Sequence, residues 1–183
     1  MEDTIVAIAT PPGEGGIGVI RMSGQMPRDL LEQVFVPYTG RKPMPRQMTY
    51  GHLVEGEERN IIIDEAMAVF MPAPLTYTRE DVVEIQCHGS MIPLKRTLGV
   101  LMEKGARLAE PGEFTKRAFL HGRLDLSQAE AVMDLVQAKT PAGFQVAVSQ
   151  LKGATTERIQ MLLEKLQNIL VQILVNIEYP EED

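Results

Sequence analysis

Residues 3–24, DTIVAIATPPGEGGIGVIRMSG, decide how the rest of the chain is read. Two apolar runs, Ile5–Ala9 and Ile17–Met22, flank a connection that holds Pro11, Pro12, Gly13, Gly15 and Gly16. Proline forbids a helix there, and glycine supplies the positive φ that a tight reversal needs. The stretch therefore predicts a strand, a turn and a second strand. Arg21 is the anomaly, because it falls mid-strand on the same side as Ile17 and Val19 when successive side chains alternate. A guanidinium in that position is either paired or lines a cleft, since a buried unpaired charge costs several kcal/mol. The glycines do not make a phosphate loop: no Gly-Lys-Ser/Thr follows, and the next segment is β-branched rather than helical. A structural hairpin is the expectation, and no GTP- or ATP-binding loop is expected in this chain.

At 183 residues with 44% hydrophobic content, the chain holds one sizeable domain, or one domain with a helical appendage. No apolar run reaches the length of a membrane span, and MEDTIVAI has no basic region before its apolar stretch. The single cysteine excludes an internal disulfide framework and fits a reducing cytosol, so a cytoplasmic location is expected. A formal charge of −7 argues against the chain as a whole being the main binder of a nucleic-acid backbone, while leaving room for a local basic patch.

Beyond the hairpin, Pro27 opens a short helix with Leu30, Leu31 and Val34 on its apolar side. Gln47–Glu55 and Asn60–Met71 predict strands, and Pro72–Thr78 a loop. Asp81–His88 predicts a strand whose alternation sets Val83, Ile85 and Cys87 against Val82, Glu84 and Gln86. Met91–Lys104 predicts a helix stopped by Gly105. These pieces make an α+β domain with a mixed sheet over residues 1–120. From 121 onward the character is helical. Ser127-x-x-Glu130 has the spacing of a capping box for a helix to about Lys139, and Thr140-Pro141 starts a second helix that the apolar periodicity extends to Ile177. At 1.5 Å per residue that helix would be roughly 55 Å long. Its apolar stripe has only one other substantial helix to cover it, and Tyr179–Asp183 adds no closing element. The sequence thus predicts a fragment or a helix packed on another copy, with a terminal helix lying on the α+β domain as the plainer alternative.

Arg21 and Glu84 are the two mid-strand charges of interest. They form either a structural salt bridge between neighbouring strands or a polar cleft, in which a carboxylate accepts two parallel N–H bonds from a planar amidine-like edge such as that of a pterin or guanine. Arg123, after Gly122, could meet a carboxylate at the far end of a ligand or lie solvated. Cys87 and His88 are adjacent but point to opposite faces of a strand, and no set of three or four ligands suits zinc. Glu113, Lys116 and Arg117 sit on a short helix with Phe114 and Phe119, a mixture that predicts an amphipathic helix with a solvated charged face.

Three blocks, DTIVAIATPPGEGGIGVIRMSG, REDVVEIQCHGS and RLAEPGEFTKRAFLHGRLDLSQAEAVMDLVQAKT, together resemble the N-terminal region of the MnmE (TrmE) family of tRNA modification GTPases. The resemblance implies a tetrahydrofolate-binding domain, similar in fold to that of aminomethyltransferases, over residues 1–120. It implies the first helices of a helical domain over 121–183, with the GTP-, Mg- and K-binding G domain absent from this chain. It also implies a homodimer through the first domain and work with the flavoprotein MnmG on the wobble uridine of tRNA, where a one-carbon folate such as 5-formyltetrahydrofolate serves a (carboxymethyl)aminomethyl modification. Full-length members hydrolyse GTP; this chain is expected not to. By position, the family's folate-binding residues fall on Arg21, Glu84 and Arg123, the last commonly lysine elsewhere in the family. The sequence departs from the family pattern at Arg79 and Ser90, where glycine is usual. A self-sufficient aminomethyltransferase-like enzyme and a dimerisation scaffold without ligand are the alternatives.

Overall fold

The computed structural model describes residues 3–56 and 58–178. The Tyr179–Asp183 segment, expected to add no closing element, lies outside them. The chain divides between Arg123 and Leu124 into two compact units. The first contains β1 (Ile5–Ile8), β2 (Gly15–Gly24), α1 (Pro27–Val34), β3 (Phe35–Pro37), β4 (Thr49–Glu55), β5 (Ile61–Met71), β6 (Asp81–Gly89), α2 (Met91–Glu103), β7 (Arg107–Leu108) and α3 (Glu113–Leu120). The second contains α4 (Leu126–Gln137), α5 (Pro141–Leu151) and α6 (Ala154–Glu178).

The seven strands form one sheet in the order β3-β4-β5-β6-β2-β1-β7. The β1–β7 pair is parallel and the other pairs are antiparallel, so the sheet is mixed as expected. Alternation gives it two unlike faces. Val6, Ile20, Met22, Ala66, Ala68, Phe70, Val83, Ile85 and Cys87 are buried with Leu30, Leu31 and Val34 of α1 and Leu94, Val100 and Leu101 of α2. The other face presents Ala7, Val19, Arg21, Met67, Val69, Glu84 and Gln86, all half-buried.

Glycines let β2 of the opening stretch pack closely on α2 and β6. A Cβ on Gly18 would come within 2.7 Å of the Leu94 side chain, and one on Gly89 within 2.4 Å of the Gly15 carbonyl oxygen. The strands β3 and β7 are additions to the sequence reading. Both are very short, and their residues carry no run long enough to signal a strand.

In the second unit two expectations are corrected. The cap of α4 is Asp125, not Ser127: its carboxylate accepts from the Gln128 N–H at 2.8 Å, and the Gln128 side-chain oxygen accepts from the Asp125 N–H at 2.9 Å. Ser127 and Thr156 hydroxyls donate to the same carboxylate at 2.8 and 2.6 Å, so the charged acceptor is the better-served cap. The helix that starts at Thr140-Pro141 ends at Leu151 instead of running to Ile177. Gly153 has φ +93°, a left-handed conformation that breaks the helix, and α6 begins anew at Ala154. The 25 residues of α6 span about 38 Å, and none of its side chains is buried.

Candidate functional site

Arg21 and Glu84 are direct cross-strand partners in the β2–β6 register. Their row crosses the half-buried face as Ala7, Arg21, Glu84, Val69 over β1, β2, β6 and β5. The guanidinium donates from Nε to Glu84 Oε1 at 2.8 Å, and its Nη2 lies 2.6 Å from the same oxygen as the ion-pair contact. Oε2 receives no hydrogen bond among the described residues, so the pair satisfies itself on one edge and leaves one carboxylate oxygen and Nη1 to offer a ligand. Side-chain exposures of 35% and 22% keep both groups accessible without fully hydrating them.

The third expected residue, Arg123, makes no direct contact with that pair among the described residues and is linked to it only through Phe114, Thr115 and Tyr77. The Arg21 guanidinium carbon lies 6.0 Å from the Phe114 ring centroid, the outer limit of a cation–π contact. Thr115, next on α3, hydrogen-bonds the Tyr77 hydroxyl at 2.9 Å. The Arg123 guanidinium in turn sits 4.6 Å over the Tyr77 ring. Arg123 is exposed, with its delocalised charge stacked on a ring rather than free in solvent. Aromatic residues beside prolines and on a short helix gave no periodic signal to mark them.

The charged face of α3 is a correction. Glu113 and Arg117 are buried, and Arg117 is the largest fully buried side chain described. Its Nη1 donates to the Asp3 carbonyl at 3.1 Å and to Glu80 Oε1 at 3.0 Å, and its Nη2 donates to Asp3 Oδ1 at 2.6 Å and Glu113 Oε1 at 3.1 Å. Arg107 grips Glu113 in a bidentate pair at 2.5 and 3.1 Å and reaches Asp3 Oδ2 at 2.6 Å. The Ser23 hydroxyl donates to Glu80 Oε2 at 2.7 Å. Hydrogen bonding from Arg107 outweighs burial and holds the Glu113 carboxyl down at about 2. This cluster ties α3, and with it Phe114 and Thr115, to β2, β7 and the loop before β6.

Arg79, where the resemblance leads us to expect glycine, has φ +60°, a conformation in which glycine is free and an L side chain is strained. Its Nη1 donates to the His121 carbonyl at 3.0 Å. Ser90 has φ −85° and ψ 150°, ordinary extended backbone that needs no glycine. Cys87 is buried and its thiol is pushed up to about 11, chiefly by desolvation. His88 is exposed on the opposite face and bonds Asp64 Oδ1 at 2.6 Å, so the two do not form a nucleophile–base couple. No group of three or more metal-ligating side chains forms among the described residues, and no described helix is long and apolar enough to cross a membrane.

A mixed sheet backed by helices on one face, with a charge pair and aromatic neighbours on the other, followed by a separate helical unit, defines a class of two-unit α+β proteins. The family profile described as "GTP-binding protein TrmE N-terminus" matches residues 4–123, and the one described as "MnmE helical domain" matches residues 126–183. The chain belongs to the MnmE (TrmE) family. It is 52% identical, over its full length, to the tRNA modification GTPase MnmE of Alkaliphilus metalliredigens, of which it covers 40%. It is 51% identical over 99% of its length to that of Lactiplantibacillus plantarum, covering 39%, and 48% identical over its full length to that of Clostridioides difficile, covering 40%. The chain thus spans about two fifths of the length of these relatives.

Proposed function

We propose that this chain is the folate-binding, dimerising portion of a GTPase that modifies the wobble uridine of tRNA. Its site holds a one-carbon tetrahydrofolate such as 5-formyltetrahydrofolate, with Glu84 and Arg21 on the pterin and Arg123 on the glutamate tail. The observation that carries this reading is the Arg21–Glu84 pair, set on the half-buried sheet face with one carboxylate oxygen unengaged and aromatic side chains alongside. Oε2 offers the first bond to an amidine edge; a second requires Arg21 to release Oε1, so ligand binding competes with the internal pair. Residues 1–120 act as the folate and dimer domain and 121–183 as leading helices of the helical domain. GTP, with Mg and K, belongs to a G domain outside this chain, and MnmG and tRNA are partners of the whole protein in the cytoplasm.

Calorimetry with 5-formyltetrahydrofolate tests the site. Arg21→Ala and Glu84→Ala should each weaken binding by more than about thirtyfold, since truncating one member of a hydrogen-bonded charge pair costs about 2 kcal/mol or more. Unchanged affinity in both removes them from the site. Absence of any heat or thermal protection with the unmodified chain favours the scaffold reading, for which the self-satisfied Oε1 contacts speak. Turnover by the chain alone would favour an aminomethyltransferase-like enzyme. Light scattering that shows a dilute monomer would remove the homodimer.

A further inference from the structure

A second row on the half-buried face takes no part in the ligand site. It runs Val19, Gln86, Met67, Tyr50 across β2, β6, β5 and β4, and ends at Tyr38, whose N–H bonds the Tyr50 carbonyl at 3.0 Å. The Tyr38 and Tyr50 rings are stacked, 5° from parallel with centroids 4.9 Å apart, and His52 leans on Tyr38 at 4.8 Å. The backbone fixes this arrangement. Between the tyrosines Gly51 faces Pro37, and a Cβ there would lie 2.4 Å from the Val36 carbonyl oxygen, so β3 can close on β4 only with glycine present. Despite their mutual contact the tyrosines are 59% and 44% exposed.

Beside the rings lies a groove of about 610 Å³ whose lining includes Arg41, Lys42, Gln47 and Thr49 and no acidic residue. The groove lining is thus cationic in a chain of formal charge −7, while Glu65, which bonds the Tyr50 side chain and lies 3.8 Å from His52 Nε2, is the acid at the far side of the rings. The Arg41 guanidinium has no ion-pair partner among the described residues, whereas Lys42 meets Glu32 at 2.5 Å. Rigid exposed rings stack on any flat base, and flanking cations take the adjoining phosphates. A purely apolar protein partner would leave these cations and polar side chains desolvated without acceptors.

We propose that the β3–β4 edge is a contact surface for single-stranded RNA, with an unstacked base on the tyrosine pair and neighbouring phosphates on Arg41 and Lys42. Only the choice of RNA as the polymer rests on the tRNA-modification reading; stacking and charge stand on their own. The test is fluorescence anisotropy of an end-labelled oligouridine of about 12 nucleotides with the 183-residue chain. Because the chain has no tryptophan, quenching of tyrosine emission gives a second readout. Binding at about 50 mM salt should weaken with a log–log slope near −1.4 for two phosphates. Arg41→Gln with Lys42→Gln, both at exposed positions, should flatten that slope. Tyr38→Leu with Tyr50→Leu should lose about tenfold or more in affinity and keep the slope. Absence of binding at low salt, or tyrosine variants that bind as well as the parent, overturns the proposal. So does a change in the chain's sedimentation, rather than in RNA affinity, on replacing the tyrosines, because the edge would then be a contact between copies. Folate calorimetry uses a separate probe, so failure here is distinguishable from failure of the folate site.

Discussion

Replacing Arg117 with methionine tests whether the buried ion cluster, rather than apolar packing alone, fastens α3 to the sheet. The substitution removes donors to the Asp3 carbonyl, Asp3 Oδ1, Glu80 and Glu113. Glu113 keeps Arg107 and the Glu110 N–H, and Glu80 keeps the Ser23 hydroxyl, but the Glu80 carboxylate loses its only cation among the described residues. Breaking a buried pair by removing one partner costs about 3–5 kcal/mol. Against this, Arg117 Nε is buried without a partner, and deleting that orphan donor returns about 1 kcal/mol. The net loss is about 2–4 kcal/mol. Unfolding entropy for the unit ending at Arg123 is about 0.26 kcal/mol/K, so the melting midpoint should fall by about 8–15 °C. Thermal melts followed by circular dichroism at neutral pH measure this. Adding Glu80→Gln to the Arg117→Met variant should recover at least 1 kcal/mol or so, because it neutralises the stranded carboxylate. A midpoint loss below about 4 °C, or no recovery in the double variant, refutes the claim that electrostatic anchoring holds α3.

At position 79, glycine should be more stable than alanine by about 1 kcal/mol in denaturant unfolding: both lose the bond to the His121 carbonyl, but only alanine keeps the left-handed strain. Equal stabilities would show that the φ of +60° is not enforced. The Glu113 carboxyl titrates at about 2 when folded, below its ordinary 4.5, so its contribution to stability is present above about 4.5 and fades as pH falls toward 2. The stability gap between the parent and Glu113→Gln, on the order of 1–2 kcal/mol at neutral pH after solvent screening, should therefore shrink in melts taken at progressively lower pH. Cys87, buried with its thiol raised to about 11, should react with a thiol-specific dye at neutral pH only at the rate of local opening and quickly once denatured; immediate labelling of the native chain would contradict that placement.

What the sequence made legible follows from where a residue's neighbours lie along the chain. The hairpin and the strand over 81–89 were readable because alternation has period two, and the same alternation put Arg21 and Glu84 on the face away from the core. It could not show that they are register partners, because pairing depends on a β2–β6 ladder that joins residues 63 apart. The helix over 113–120 was readable as a helix, but not its orientation. Charges four apart on one face look alike whether they meet water or a buried partner, and the deciding partner of Arg117, Asp3, is 114 residues away. The α4 cap was expected two residues too late. The spacing picked out Ser127-x-x-Glu130, whereas the charged Asp125 caps the helix with Gln128 and also accepts from Thr156, a donor 31 residues on that the local spacing could not show.

Residue 79 has a left-handed backbone of the kind glycine adopts without strain, and it directly precedes Glu80, a partner of Arg117. That short loop also supplies Tyr77, which touches both Thr115 and Arg123, and Thr78, whose carbonyl holds the His121 ring at 2.7 Å. One tight turn therefore sets the Glu80 carboxylate for the ion cluster and the Tyr77 ring for the proposed ligand tail. An arginine at 79 keeps that turn by spending its own guanidinium on the His121 carbonyl, a bond glycine cannot make. The site's geometry is thereby tied to the stability of the α3 anchor: loosening Arg117 should disturb Arg123 through Glu80 and Tyr77, and reach Arg21 only through the Phe114 ring, leaving the β2–β6 pairing of Arg21 with Glu84 in place.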